Sequence, residues 1–192
     1  LGDVYKRQIE EAADIKRKPR WLPIAALAAC AVAWKFGISG ETAAAALAEF
    51  HGAGRRLEYK GSFHGADVYD DYAHHPNELH ALLQAVRLMH YRRVICAFQP
   101  HTYSRTKALF QSFVDELRTA DQVVLADIYA AREQNTVGVS SQELAAEIPG
   151  AVYCPSLQGV TAYLRENAQP GDIILTVGAG DIYKAGEALF TE

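Results

Sequence analysis

From residue 57 onward, apolar positions along this chain alternate between two periods, and that alternation predicts an architecture. Short β-branched or aromatic runs at Leu57–Lys60, Asp67–Asp71, Val94–Phe98, Val123–Asp127, Ala151–Tyr153 and Ile173–Val177 have the length and composition of strands. Helical segments are expected between and after them, at Pro76–Met89, Arg105–Ala120, Ser141–Ile148, Leu157–Asn167 and Asp181–Phe190. In the first of these, Leu79, Leu82, Leu83 and Val86 recur at i, i+3, i+4, i+7, and Leu109, Phe113, Val114 and Leu117 give the second a similar face. Ser140 with Glu143 forms a capping-box pattern at the start of the third. Repeated strand-then-helix units imply an α/β fold, a Rossmann-like mostly parallel sheet with helices on both faces. In such sheets ligands sit beyond the carboxyl ends of the strands, so the strand-to-helix loops are where chemistry is sought.

The first fifty residues read differently. An Ala-rich run from Ala25 to Phe36 ends at Gly37, a helix stop, and Ser39 is the expected N-cap of a second run, Glu41–Phe50. His51-Gly52-Ala53-Gly54 then breaks the pattern and fits a hinge between domains, or a simple helix-to-strand turn. Residues 1–20 are read as an artefactual or disordered leader, because Asp3–Gln8 is similar to a translated sequencing adapter, and they are excluded from the fold.

Composition narrows the function classes. The 192 residues are 49% hydrophobic and 22% charged, which argues against disorder and against a membrane protein. A net charge of -4 offers no excess of cations for a phosphate backbone, so nucleic acid is not an expected partner. The apolar stretch Leu22–Trp34 is too short to span a bilayer. Three scattered cysteines, Cys30, Cys96 and Cys154, contain no Cys-x-x-Cys pair, so neither a disulfide scaffold nor a zinc site is indicated and a cytoplasmic location is the default.

Three loops concentrate unusual residues. Asp70-Asp71-Tyr72-Ala73-His74-His75-Pro76-Asn77-Glu78 sets two carboxylates and two imidazoles in one turn, with Pro76 as the first helical residue. Either the turn binds something or these residues serve the turn itself, with His75 as a cap; adjacent residues do not easily face one ion, and no metal site is expected. In Phe98-Gln99-Pro100-His101-Thr102-Tyr103-Ser104-Arg105-Thr106-Lys107, Ser104 is the expected N-cap, which would put Arg105 and Lys107 in a first turn where cations oppose the helix dipole. A clustered guanidinium, imidazole and free N–H groups would hold a carboxylate or a phosphate. The third loop, Asp127–Gly138, is long and polar, as a substrate-facing loop would be. Gly178-Ala179-Gly180-Asp181 lacks the third glycine of a dinucleotide fingerprint and follows the last strand, so it reads as a tight turn with close backbone packing.

These loops resemble the motifs of the Mur ligases. Asp71-Tyr72-Ala73-His74 is similar to a pattern shared by several members. Its extension to Asp70–Pro76, with Phe98–Thr106 and Asp127–Glu133, narrows the likeness to members that join L-alanine to UDP-N-acetylmuramate. The resemblance implies that residues 53–192 are the C-terminal amino-acid-binding domain and 21–52 the helical end of the central ATP-binding domain. It implies an ATP-dependent carbon–nitrogen ligase of peptidoglycan precursor synthesis, in which ATP phosphorylates the carboxylate of UDP-N-acetylmuramate and the amine of L-alanine attacks the acyl phosphate. ATP and magnesium would be bound mainly by the central domain. By motif match, Arg56 and Asp71 bind the nucleotide, Asp71 by accepting from ribose hydroxyls; Tyr72, His74 and Arg105 hold the amino acid, Arg105 against its carboxylate, and His101 is a further candidate for that pocket. No side chain is assigned as catalytic or as a metal ligand.

The sequence departs from the family in three places. Thr102 stands where many members carry a second arginine, and Trp21-Leu22-Pro23-Ile24-Ala25 stands in place of the adenine-side Gly and His-Asn signature. No Gly-Lys-Thr/Ser phosphate loop occurs, so this polypeptide by itself is expected to be inactive. Rival readings are another amino-acid ligase of the superfamily, or a non-enzymatic nucleotide- or anion-binding α/β module; a dehydrogenase is disfavoured because no glycine fingerprint follows the first strand.

Overall fold

A computed structural model describes residues 22–50 and 53–191 and divides the chain into two units, Leu1–Gly52 and Ala53–Glu192. The leader assigned to residues 1–20, and Trp21, His51 and Gly52, lie outside the described residues. In the first unit, α1 (Leu22–Lys35) and α2 (Gly40–Ala48) are the two expected helices. Gly37, at φ 73°, ends α1: its N–H donates to Trp34 O and that of Ile38 to Ala33 O, the paired bonds of a Schellman stop. Ser39 caps α2 by accepting from Thr42 N at 3.2 Å.

The second unit is built on a six-stranded sheet. Its strands are β1 (Glu58–Phe63), β2 (Ala66–Asp71), β3 (Arg93–Phe98), β4 (Gln122–Leu125), β5 (Val152–Tyr153) and β6 (Asp172–Val177), in the spatial order β1-β2-β6-β3-β4-β5. All neighbours are parallel except β1 and β2, a hairpin whose two-residue turn, His64-Gly65, has φ of 50° and 79° as a type I′ turn requires. Near its start β1 is bulged between Tyr59 and Gly61, and Lys60 pairs with Glu58 and Glu187, each at 3.2 Å. The helices are α3 (Pro76–Arg87), α4 (Tyr103–Ala108), α5 (Phe110–Leu117), α6 (Ser141–Ala146), α7 (Leu157–Asn167) and α8 (Tyr183–Glu187), with a 3-10 turn at Ala188–Phe190.

Alternating strand residues face two cores. Ile173, Leu175 and Val177 join Leu79, Leu83, Phe113 and Leu117 on one side of the sheet, while Ile174 joins Ile95, Val160, Leu164 and Ile182 on the other. The helical face read from Leu79, Leu82, Leu83 and Val86 is buried as expected. The segment expected as one helix, Arg105–Ala120, is instead α4 and α5, broken at Leu109 (φ -114°, ψ 20°). One turn before the break, Thr106 Oγ1 donates back to Thr102 O at 2.7 Å, a bond of the kind that bends helices. Ser104 is not the N-cap either. Thr102 occupies that position and Ser104 lies inside the first turn, which leaves Arg105 third in α4 and Lys107 in its last turn, where a cation no longer opposes the dipole. Among the described residues, no helix is long and apolar enough to cross a membrane.

One buried charge pair fastens the start of this unit to the sheet. Arg55 Nε donates to Asp70 Oδ2 at 2.7 Å, and its two Nη groups donate to Gly180 O at 3.1 Å and Gly178 O at 2.6 Å. Asp70 is 1% exposed, and its other oxygen accepts from Thr176 Oγ1 at 2.8 Å. Removing the guanidinium strands both a buried carboxylate and two carbonyls. Arg55→Ala is therefore expected to lower the unfolding free energy by about 3 kcal/mol, at the lower end for a broken buried pair because Arg55 reaches solvent; urea denaturation checks this.

Candidate functional site

Because β6 lies between β2 and β3, the loops leaving β2, β6, β3 and β4 stand side by side on one edge of the sheet. Backbone bonds join them: Gly178 N donates to Asp71 O at 3.0 Å, Gln99 N to Val177 O at 2.9 Å and Ala126 N to Phe98 O at 3.0 Å. The middle loop has to stay low. A Cβ on Gly178 would stand 2.7 Å from Gln99 O, and one on Gly180 would stand 2.3 Å from Gln99 Oε1 and 2.7 Å from the Tyr129 ring. The Gln99 amide completes the turn, donating to Asp181 Oδ1 at 3.1 Å and accepting from Asp181 N at 2.9 Å and Ile182 N at 3.2 Å. Gly178–Asp181 is thus a close-packed turn, as its sequence suggests.

In the loop after β2, Asp71 Oδ2 accepts from Leu57 N and Oδ1 from Ala73 N, both at 2.8 Å. Burial pushes the Asp71 carboxyl up, opposed by those two N–H groups and the charge of Arg56. His75 caps α3, accepting from Asn77 N at 3.3 Å, and the box is closed by Glu78, which accepts from His75 N at 3.2 Å and from His74 N at 2.8 Å. Burial would raise Glu78, yet the N–H groups of His74 and His75 and the charges of His74 and Arg56 together hold the carboxyl below its ordinary value. The cap fixes His74, whose Nδ1 lies 3.0 Å from Tyr72 O. The Tyr72 ring meets His74 edge-on at 5.4 Å and lies under two guanidinium groups, Arg55 at 5.0 Å and Arg56 at 5.7 Å.

The loop after β3 turns sharply at Thr102, whose φ of 68° and ψ of 143° belong to a region that L residues rarely occupy. The turn is pinned because Thr102 N donates to Tyr129 O at 2.9 Å, Tyr129 N to Pro100 O at 2.8 Å, and Thr102 O accepts twice from Thr106. His101 is thereby set between two rings: His74 at 5.8 Å and Tyr129, stacked at 5.6 Å. Arg105 Nη1 lies 3.4 Å from His101 Nδ1. A guanidinium only donates, so this contact leaves the His101 proton on Nε2. Burial, then Arg105 and His74, lower the His101 pKa, with Glu133 acting the other way, so the imidazole is neutral at pH 7.

The structure thus brings Tyr72, His74, His101 and Arg105 into one contiguous cluster, with Tyr129 as its wall. Arg56 and Asp71 lie behind Tyr72, Arg56 exposed and Asp71 buried. Sequence reasoning missed Arg55, Gln99, Tyr129 and the closing role of Glu78; of these, only Glu78, three residues beyond His75, carried a local signal. Arg105 differs from Arg55 in one decisive respect. Among the described residues no carboxylate lies within ion-pair distance of Arg105, so a permanently charged fork keeps spare donors beside a neutral imidazole. That arrangement suits a small carboxylate. No group of three His, Cys, Asp or Glu side chains fit to hold a metal occurs among the described residues.

The family model described as Mur ligase, glutamate ligase domain, matches residues 55–180. A UDP-N-acetylmuramate–L-alanine ligase of Caldanaerobacter subterraneus is 45% identical over 171 residues, covering 87% of this chain and 37% of that protein. One from Lachnospira eligens is 48% identical over 167 residues, covering 85% and 36%. Among solved structures, a UDP-N-acetylmuramate-alanine ligase of Thermotoga maritima aligns with a TM-score of 0.69 at 25% identity, over 90% of this chain and 37% of that one. A murein peptide ligase of Psychrobacter arcticus aligns with a TM-score of 0.56 at 25% identity, over 86% and 35%. The chain therefore spans a little over a third of the length of the curated relatives it matches.

His101 is expected to titrate below the ordinary 6.5 of a free imidazole. The unfolded chain then takes up its proton first, so the unfolding free energy falls as pH drops from about 6.5 through the folded value, and this group has no effect at higher pH. NMR titration of the ring checks the direction, and His101→Gln should remove that part of the acid loss.

Proposed function

The chain belongs to the Mur ligase family, and on that premise we propose that it forms the amino-acid-binding part of an ATP-dependent ligase that joins L-alanine to UDP-N-acetylmuramate in peptidoglycan precursor synthesis in the cytoplasm. The observation that carries this reading is the unpaired guanidinium of Arg105 beside neutral His101. In the proposed reaction the UDP-N-acetylmuramate carboxylate, activated by ATP as an acyl phosphate, is attacked by the alanine amine; amide forms and phosphate leaves. The domain holds the nucleophile. Arg105 would grip the alanine carboxylate through charge-assisted bonds, and Tyr72 and His74 would bound the pocket opposite. A neutral His101 adds no repulsion against the ammonium group of the incoming zwitterion. With Thr102 in place of a second arginine, Arg105 carries the carboxylate with less help.

The nucleotide side is built more lightly. Arg56 is exposed and free to meet a phosphate or sugar, whereas Asp71 already accepts two backbone N–H groups and would receive ribose hydroxyls only on its remaining lone pairs. Magnesium would neutralise the ATP phosphates, and none of the described residues is assigned to hold it. Residues 21–52 are proposed as the helical end of the ATP-binding domain, and 53–192 as the amino-acid-binding domain.

The names of the 45–48% identical relatives favour alanine as the amino acid over a peptide. In the full-length ligase, Arg105→Ala is expected to raise KM for L-alanine roughly 10- to 100-fold, the worth of a charge-assisted bond, with KM for ATP unchanged. An unchanged alanine KM would remove Arg105 from the pocket. Lacking a phosphate loop, the purified 192-residue chain is expected to form no amide from ATP, UDP-N-acetylmuramate and L-alanine; product detected by mass spectrometry would overturn that.

A further inference from the structure

The helix that carries Arg105 is steadied by a residue from another loop. Thr102, at the N-cap of α4, makes no side-chain cap bond. Glu133, in the loop after β4, fills that gap: its Oε2 accepts from Ser104 N at 2.8 Å and its Oε1 from Ser104 Oγ at 2.5 Å. The side-chain hydroxyl of Ser104, its backbone N–H and that of Tyr103 all hold the Glu133 carboxyl below its ordinary range. The loop delivers Glu133 through a left-handed turn at Ala131 (φ 54°), closed by Glu133 N donating to Ala130 O at 2.9 Å. Four residues before Glu133 in the same loop, Tyr129 binds the backbone of Thr102 and stacks on His101.

The placement of this carboxylate matters. Glu133 makes no ion pair with Arg105 among the described residues, yet Ser104 is Arg105's neighbour in the chain. The first turn of α4 is ordered by a negative charge that leaves the donors of the guanidinium free. A carboxylate bonded directly to Arg105 would order it equally well and would block the pocket.

We propose that Glu133 is a positioning residue that holds Arg105 and His101 in place for the substrate carboxylate, a role that rests on the amino-acid pocket described above. Glu133 does not touch the amino acid. It acts through Ser104 and the first turn of α4, and it makes the loop after β4 part of the pocket's framework.

The groups facing His101 are Arg105 from α4, His74 from the loop after β2, and Tyr129 and Glu133 from the loop after β4. They give a test on the chain itself that needs no substrate. If Glu133 were only a nearby charge, Glu133→Ala would lower the His101 pKa further, because a favourable negative charge is lost. If it positions Arg105, the freed guanidinium moves off and the ring is better solvated, so the His101 pKa rises toward 6.5. A rise supports the proposal and a fall overturns it.

In the full-length ligase, Glu133→Ala is expected to raise KM for L-alanine about tenfold with KM for ATP unchanged, and Glu133→Gln, which keeps an acceptor oxygen, should fall between it and the parent. In an Arg105→Ala background the Glu133→Ala change should add less than about twofold; additive effects would overturn action through Arg105. Should Glu133→Ala fail to fold, Ser104→Ala and Glu133→Gln carry the same comparison. The two readings separate cleanly. An Arg105→Ala enzyme with unchanged alanine KM defeats the pocket, whereas a raised KM there with none in Glu133→Ala or Glu133→Gln defeats the positioning role alone.

Discussion

The insertion of β6 between β2 and β3 is the constraint on which the site depends. Strands one apart in a sheet are separated by roughly 10 Å, twice the inter-strand spacing, so side chains leaving β2 and β3 meet only if whatever leaves β6 stays beneath them. Gly178 and Gly180 satisfy that condition, with Cβ positions already occupied by Gln99 and Tyr129 atoms. Above this turn the rings of His74 and His101 approach to 5.8 Å. Arg55 donates to the carbonyls of the same two glycines, so the turn is fastened from its open side as well.

Two arginines of this edge illustrate how environment, not residue type, assigns a role. Arg55 is engaged at all three nitrogens: a buried carboxylate and two carbonyls accept from it, and the faces of Tyr72 and Tyr183 lie at 5.0 and 4.7 Å. It is a structural cation. Arg105 has one long contact to an imidazole nitrogen and a free fork. In sequence the pair Arg55-Arg56 offers no sign of which member is structural, since adjacent residues of identical chemistry differ only in the direction that the backbone gives them.

The period of the apolar positions made the parallel sheet and its helices legible, because burial on both faces leaves a regular trace in the chain. Local caps were legible too: Ser39, Ser140 and the Pro76 start are set by contacts within four residues. The cluster of Tyr72, His74, His101 and Arg105 was suggested by composition and by likeness to a family. What escaped was non-local. The Thr102 turn is held by Tyr129 O, and Ser104, which resembles an N-cap, is instead bonded by a glutamate 29 residues away. None of these partners is marked by spacing.

The hairpin edge of the sheet has a consequence of its own. A flat terminal strand invites templated growth by another chain, since its outward N–H and C=O groups are unpaired. Strand β1 is bulged between Tyr59 and Gly61, and Lys60 is neutralised there by Glu58 and Glu187 of its own molecule. A second copy docking along that rim would face a broken hydrogen-bond repeat and would have to strip a lysine of both partners. At this rim the broken repeat and the doubly paired lysine both oppose templated pairing by a second copy.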